Sequence, residues 1–482
     1  MLPARQRGNA AARQLVALVP LADNPAMDAR PLAEHICAVL RGAGHQAYLV
    51  GGCVRDLVLG HAPKDFDVAT DATPDRVLEL FPGSVTVGAA FGVIVVIDPA
   101  PRADESPATV EVATFRKDLG YSDGRRPDGV VYAKTAEEDV RRRDFTINGL
   151  LEDPRDGRVL DYVGGLPDLK AGIVRAIGDP AARFAEDKLR MLRAVRFAAR
   201  FGYTIEPATF AAIRALAAEI SVVSPERIRD ELTHILTDGG VRRGFELLEE
   251  TGLLEQVLPE IARMHGVRQP PEYHPEGDVW IHTLMLLEQL PAGASPALAW
   301  GALLHDVGKP PTFTPPRGPG DRIRFDRHVE VGVRLAEEIA ERLRFSGDEK
   351  DRVLALVGQH MRFIDVRDMR ASTLKRFVRQ PHFDEHLALH RMDCLASHGK
   401  LDAYEFVTRF LQETPPEAVR PARLVTGDDL KSLGLPPGPA YRQIIEAVEE
   451  AQLEGRLTDR DGALRFAREQ IAGLGAETRV SH

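Results

Sequence analysis

The segment Leu49–Asp75, LVGGCVRDLVLGHAPKDFDVATDATPD, constrains the fold more than any other stretch of the chain. An apolar run enters Gly51–Gly52, the pair Arg55–Asp56 follows, and Asp65-Phe66-Asp67 lies in an extended segment ending at Thr70. Alternate side chains of a strand share a face, so Asp65 and Asp67 project together while Phe66 and Val68 turn to the other side. Two neighbouring carboxylates repel, and burial deepens the penalty unless positive charge sits between them. A divalent cation meets that need, and Mg²⁺ is the usual one where carboxylates meet phosphates. Gly51 and Gly52, without Cβ, let backbone approach a phosphate closely. Arg55 offers a fork of donors to the same group.

Composition sets the outer bounds. With 482 residues, 44% hydrophobic and 28% charged, the chain has room for three or four domains. No apolar run approaches the ~20 residues of a membrane span, so no membrane partner is expected. Cys37, Cys53 and Cys394 show no paired spacing, which points to a reducing compartment, the cytoplasm, and away from structural zinc. No DNA partner is expected, and a net charge of −10 argues against indiscriminate coating of nucleic acid. It is compatible with one structured RNA held on a local basic surface. Residues 1–30 carry Arg5, Arg7 and Arg13 with weak periodicity and are expected to form a disordered extension. Pro31–Arg41 then reads as an amphipathic helix closed by Gly42–Gly44.

The order GG-x-V-R-D, then D-F-D-x-x-T, resembles the head of the nucleotidyltransferase superfamily branch that contains tRNA CCA-adding enzymes and bacterial poly(A) polymerases. Downstream, GVIVVID (92–98) and ATVEVATFR (108–116) read as a hairpin across a polar loop at 99–107. Glu111 points opposite to Val110 and Val112, which alone describes an edge glutamate. The resemblance implies a third metal-binding carboxylate on a neighbouring strand, and Glu111 is the candidate. The Gly- and Asp-rich stretch 115–132 reads as a mobile surface loop. A loop of this kind in CCA-adding enzymes is needed for the last AMP addition. The run RRDFTINGL (142–150) matches the second signature of the family. That match implies a phosphate contact for Arg143 and support of the catalytic centre for Asp144, with Thr146 and Asn148 holding the turn.

From Asp179 strand alternation gives way to helices. Ala185–Phe201, AEDKLRMLRAVRFAARF, reads as one helix in which Glu186 and Asp187 meet Arg190 on one face. An exposed ion pair is the ordinary account of such spacing. In class II CCA-adding enzymes an E-D-x-x-R helix reads the incoming base, which implies that role for Asp187 and Arg190, with Arg193 near the phosphates. Carboxylate and guanidinium edges discriminate donors from acceptors by leaving wrong partners unpaired. Val223–Leu236, VSPERIRDELTHIL, is a helix capped by Ser224 and resembles a packing element of the neck.

A second constellation spans 274–393: His274 and His282, then His305–Asp306 inside LLHDVGKP, then His328, His360 and Asp393. Burying an adjacent His-Asp pair without partners is costly, so the apolar context of His305 and Asp306 calls for a ligand. The set resembles an HD phosphohydrolase, with His282, His305, Asp306 and Asp393 as ligands of a divalent transition metal. His328 and His360 are candidates for a second metal position. The competing reading is a vestigial, structural HD domain.

The expected architecture is therefore α+β. A nucleotidyltransferase head with a mixed sheet (31–178) precedes an all-helical neck (179–265), an HD body (266–412) and a helical tail (413–482). The resemblance implies template-independent addition of C, C and A to the 3′ end of tRNA from CTP and ATP. Asp65 and Asp67 would hold Mg²⁺, Glu111 and Asp144 would complete the catalytic set, and Gly52, Arg55, Arg143, Asp187, Arg190 and Arg193 would bind nucleotide. The alternatives are a poly(A) polymerase, an A-adding tRNA nucleotidyltransferase, and an RNA-anchored HD phosphohydrolase.

Overall fold

A computed structural model describes residues 28–86, 92–98, 107–119 and 129–480. The expectation of a disordered start falls on residues of which 1–27 lie outside this set. Two compact units emerge, one of residues 1–231 with 246–257, the other of 232–245 with 258–482.

The first unit is built on a sheet whose strands are β1 (Ala47–Val50), β2 (Asp67–Thr70), β3 (Val85–Thr86), β4 (Val93–Ile97), β5 (Thr109–Thr114), β8 (Leu150–Asp153) and β9 (Arg158–Asp161). Their spatial order is β3-β4-β5-β2-β1-β8-β9. Only β2 and β5 run parallel, so the sheet is mixed as expected. The helix Ala29–Gly42 buries Leu32, Ala33, Ile36, Cys37 and Leu40, the 3.6-residue stripe that its sequence predicts. The run β4–β5 is the antiparallel hairpin read from the sequence, and residues 99–106 of its loop are outside the described set. The stretch 115–132, read as a loop, instead contributes a two-stranded hairpin, β6 (Arg116–Leu119) with β7 (Gly129–Tyr132). Its tip, 120–128, is not among the described residues.

Beyond the sheet the chain is helical as expected, except that the neck read as all-helical holds a short strand, Thr204–Ile205, paired in parallel with Ile173–Val174. The single helix predicted over Ala185–Phe201 is corrected to two, Pro180–Glu186 and Arg190–Phe201. Asp187 between them is extended, with φ −147° and ψ 107°. The break lets its carboxylate cap the next helix, with Asp187 Oδ1 accepting from the Leu189 N–H at 3.1 Å.

The second unit is a helical body followed by three tail helices, Gly427–Ser432, Pro439–Leu453 and Arg460–Val480. In the body, Pro296–Leu304 is apolar all round and buried from Ala297 to Leu304, which makes it the central helix. His305–Asp306 emerge at its C-terminal end. Gly308 then allows the start of the helix His328–Arg342 to close on the His-Asp pair. A Cβ at Gly308 would stand 2.0 Å from the His328 carbonyl oxygen, a distance no side chain tolerates. Among the described residues no helix is long and apolar enough to cross a membrane.

Candidate functional site

In the head, β2 begins at Asp67, and Asp65 lies in the extended segment just before it. Phe66 and Val68 are buried, while Asp65 is exposed and Asp67 half-buried, an alternation in burial that matches the period-2 reading. The parallel register sets Asp67 directly beside Glu111 of β5. Burial, then the Glu111 carboxylate, raise the Asp67 carboxyl to about 6; Arg143 opposes the rise and Asp65 adds to it. Asp67 therefore senses both other acids and one arginine. Gly51, with φ +79°, takes a conformation that favours glycine, and a Cβ there would meet Arg143 Nη1 at 3.3 Å. Arg143 is steadied by Asp139, whose Oδ2 accepts from its Nη2 at 3.0 Å.

Several other candidates occupy places that the sequence did not foretell. Arg55, expected to face phosphate, is only 4% exposed. Its guanidinium donates to Asp56 at 2.8 Å and to Asn148 at 2.7 Å, and lies over the rings of Phe201 and Phe197. Gly52 starts the short helix Gly52–Val58 directly after Gly51, and a Cβ there would meet Arg55 Nη2 at 3.6 Å. Asp144 is buried with both oxygens engaged: Oδ1 accepts from the Phe145 N–H and Asn148, and Oδ2 from Arg193 at 2.7 and 2.9 Å. Burial would raise its carboxyl, but the Arg193 guanidinium outweighs that and holds it at about 2. Asp144 and Arg193 are thus a brace between the signature turn and the neck helix. Thr146 donates to Asp168 at 2.6 Å and holds the turn, as Asn148 does.

At the neck, Arg190 pairs with Glu186 at 2.6 Å and donates to the carbonyls of Arg183 and Arg142. Asp187 pairs instead with Arg227, at 2.7 Å. The two members of the expected base-reading pair therefore have different partners. Arg227 was legible only as part of a capped packing helix.

In the second unit, the expected ligands converge. His282 Nε2 lies 3.2 Å from Asp393 and 3.3 Å from His305 Nε2, and Asp306 Oδ2 lies 3.2 Å from His305 Nε2. The other oxygen of Asp306 faces His328 Nε2 at 3.9 Å and His360 Nε2 at 3.8 Å. Asp306 therefore stands between two groups of donors, His282–His305–Asp393 and His328–His360. The Nε2 atoms of His328 and His360 are buried without a hydrogen-bond partner. Orphaned imidazole nitrogens aimed at one carboxylate are what a metal position requires. Burial would lower the His282 imidazole, but Asp393 and Glu276 overcome this and raise it to about 9. His360, where burial dominates, falls to about 4. Lys309, absent from the expected set, donates to Asp306 at 2.7 Å and to Gln269 at 2.6 Å. Its signal was present in the sequence as a lysine one helical turn after the aspartate.

Together, fold and sites define a nucleotidyltransferase head joined to a helical unit with an HD metal constellation. The chain matches the poly A polymerase head domain over residues 47–175, the probable RNA and SrmB-binding site of polymerase A over 202–264, and the HD domain over 278–395. It is 34% identical over 424 residues to the multifunctional CCA protein of Alkalilimnicola ehrlichii, covering 85% of this chain and 96% of that one. It is 41% identical over 225 residues to the CCA-adding enzyme of Limosilactobacillus fermentum, covering 47% and 53%. The chain thus spans about half the length of the first curated relatives it matches. Among solved structures, the Bacillus stearothermophilus CCA-adding enzyme in complex with CTP superposes with a TM-score of 0.68 at 24% identity, over 92% of this chain and 98% of that one. The Thermotoga maritima CCA-adding enzyme complexed with tRNA gives 0.55 at 18% identity, over 94% and 98%. The chain belongs to the class II tRNA nucleotidyltransferase and bacterial poly(A) polymerase family, in the branch that carries an HD domain.

Proposed function

We propose that this protein adds C, C and A to the 3′ end of tRNA, using CTP and ATP and working in the cytoplasm. The observation that carries the reading is the three-acid cluster Asp65–Asp67–Glu111, with Arg143 beside Asp67 and a glycine turn against Arg143. Asp65, Asp67 and Glu111 would hold Mg²⁺. Bound there, Mg²⁺ would neutralise the triphosphate and lower the pKa of the tRNA 3′-hydroxyl. The chain's own contribution is position and charge. Arg143 offers Nη1 to a phosphate beside Gly51. Asp187 and Arg190 present acceptor and donor edges to the base once it competes with Arg227 and Glu186. Asp144, Arg193 and Arg55 keep these groups at fixed separation.

Structural relatives support the partners: a CCA-adding enzyme in complex with CTP, one with ATP, and one with tRNA. The test is incubation of tRNA transcripts ending before, within and after CCA with labelled CTP or ATP. C incorporation on the shortest transcript, stopping after three nucleotides, is expected. A-only incorporation would make it an A-adding enzyme, and unlimited A addition a poly(A) polymerase. Asp65→Ala should lose incorporation while keeping tRNA binding.

A second reading concerns the body. The two donor groups around Asp306 favour a metal-dependent phosphohydrolase, acting on phosphate monoesters or 2′,3′-cyclic phosphates, over a vestigial HD domain. His282, His305, Asp306 and Asp393 would hold one divalent transition metal, and Asp306, His328 and His360 a second. Such an ion supplies a hydroxide nucleophile near neutral pH. Phosphate release from a 2′-nucleotide, abolished by Asp306→Ala, is the expected result.

A further inference from the structure

The segment before the first metal-binding helix holds a carboxylate that no expected ligand set includes. Glu276 lies two residues ahead of Asp278, which caps the helix Val279–Leu287 through the Ile281 N–H at 2.8 Å. That cap fixes His282 one turn into the helix. The loop itself is pinned by the Gln269 N–H to Gly277 carbonyl bond at 3.0 Å and the Val279 N–H to Val267 carbonyl bond at 3.0 Å. Glu276 is thereby turned inward, with its side chain 3% exposed. Its Oε1 accepts from His282 Nδ1 at 2.7 Å and from His274 Nδ1 at 2.9 Å. Holding Nδ1 against Glu276 aims Nε2 of His282 at Asp393 and His305, where a metal would take the place of the Nε2 proton.

The other three imidazoles are oriented differently. His305, His328 and His360 each give Nδ1–H to a backbone carbonyl, of Ala302, Phe325 and Val357, at 2.8, 3.0 and 2.7 Å. A carboxylate acceptor makes the opposite ring nitrogen a stronger donor to a metal than a carbonyl does. The charge count points the same way. Asp393 adds a whole carboxylate to the His282–His305 group, where the near oxygen of Asp306 is shared with Lys309 at 2.7 Å, whereas among the described residues only the other oxygen of Asp306 faces His328 and His360.

We propose that Glu276 is a positioning residue that makes the His282–His305–Asp393 position the tight metal site, filled first, and leaves Asp306–His328–His360 as the weaker, exchangeable one. This rests on the metal-binding reading of the body given above. It assigns unequal roles to two donor groups that share one aspartate.

The test is a Co²⁺ titration of the full chain, followed by its visible absorption, in an Asp67→Ala background so that the head's acids do not compete. Two phases are expected. Glu276→Gln should weaken the tight phase by roughly 10- to 100-fold and leave the weak phase in place. Glu276→Asp, which keeps the charge on a shorter arm, should recover part of the loss. The double variant His328→Ala/His360→Ala should remove only the weak phase, and it decides the ordering of the sites even if Glu276→Gln does not fold. An unchanged tight phase in Glu276→Gln, or loss of the tight phase in the double variant, would overturn the proposal. Absence of any Co²⁺ absorption in the parent chain would instead overturn the metal-binding reading itself.

Discussion

The head and the body solve the same electrostatic problem, clustered carboxylates, in opposite ways. In the body, acids are interleaved with bases: burial opposes the charge on Asp306, but His305 and Lys309 outweigh it and hold the carboxyl far below its ordinary range. The donor atoms lie within 4.8 Å of one another, and every such group of three among the described residues is in this unit. In the head, Asp65, Asp67 and Glu111 face each other with only Arg143 to offset them, and Asp67 is pushed up rather than down. Among the described residues, the head's three acids do not form such a group. A site that compensates itself is suited to a resident ion; one that does not is suited to a cation arriving with its substrate.

The largest effects should separate the two sites completely. Asp67→Ala is expected to lower C and A incorporation on the order of 10³-fold, the scale of losing one electrostatic group at a reacting centre. Phosphate release from a 2′-nucleotide should stay within twofold. Asp306→Ala should do the reverse. Both activities falling in either variant, measured on the same preparations, would break the division drawn here.

Next in size is the brace. Asp144→Ala leaves Arg193 with Glu231 at 3.6 Å as its remaining acid and strands two buried donors, the Phe145 N–H and Asn148. Removing one partner of a buried ion pair costs about 3 kcal/mol, read as a lower midpoint in urea. If Asp144 instead held metal directly, Mg²⁺ affinity would fall with stability unchanged.

Asp67→Asn should act with the opposite sign. The folded chain keeps the Asp67 proton up to about 6, whereas the unfolded chain releases it near the ordinary 3.8. The folded state therefore binds the extra proton between these values, and stability falls as pH rises from about 4 to 6. Asparagine removes the penalty. In the presence of chelator, Asp67→Asn should be more stable than the parent by roughly 2 kcal/mol at pH 7, discounted for partial exposure, and no different at pH 3. Saturating Mg²⁺ should narrow the gap. Equal thermal midpoints at pH 7 would mean that the head's acids are not in conflict.

Much of this was legible in the sequence because it is local. Period-2 alternation put Phe66 in the core, and the apolar helix ending in His305–Asp306 placed that pair in the interior. What was hidden depends on contacts between distant positions. Alternation sent Glu111 away from Val110 and Val112, but only the β2–β5 parallel pairing sets it beside Asp67. Arg55 reads as a phosphate ligand until Asn148, 93 residues later, claims it. Helical spacing put Glu186 against Arg190 correctly, yet could not show that the chain breaks at Asp187. Glu276 had a faint signal, an acid in a Pro-Gly turn six residues before a ligand histidine.

That break at Asp187 yields the smallest and most selective prediction. Asp187 accepts from Arg227 at 2.7 and 3.3 Å, on a side chain 25% exposed, while its other contact is the Leu189 N–H. Arg227 therefore aims the carboxylate without belonging to the acid cluster, and on the proposed function an incoming base would share or displace it. Arg227→Met removes a charge-assisted pair worth about 1–2 kcal/mol while keeping the packing volume. The expected result is a rise of roughly tenfold in KM for CTP and ATP, unequal between the two, with kcat changed less. A fall in kcat alone would place Arg227 with the reacting centre, and an equal rise for both nucleotides would make it a structural support of the neck.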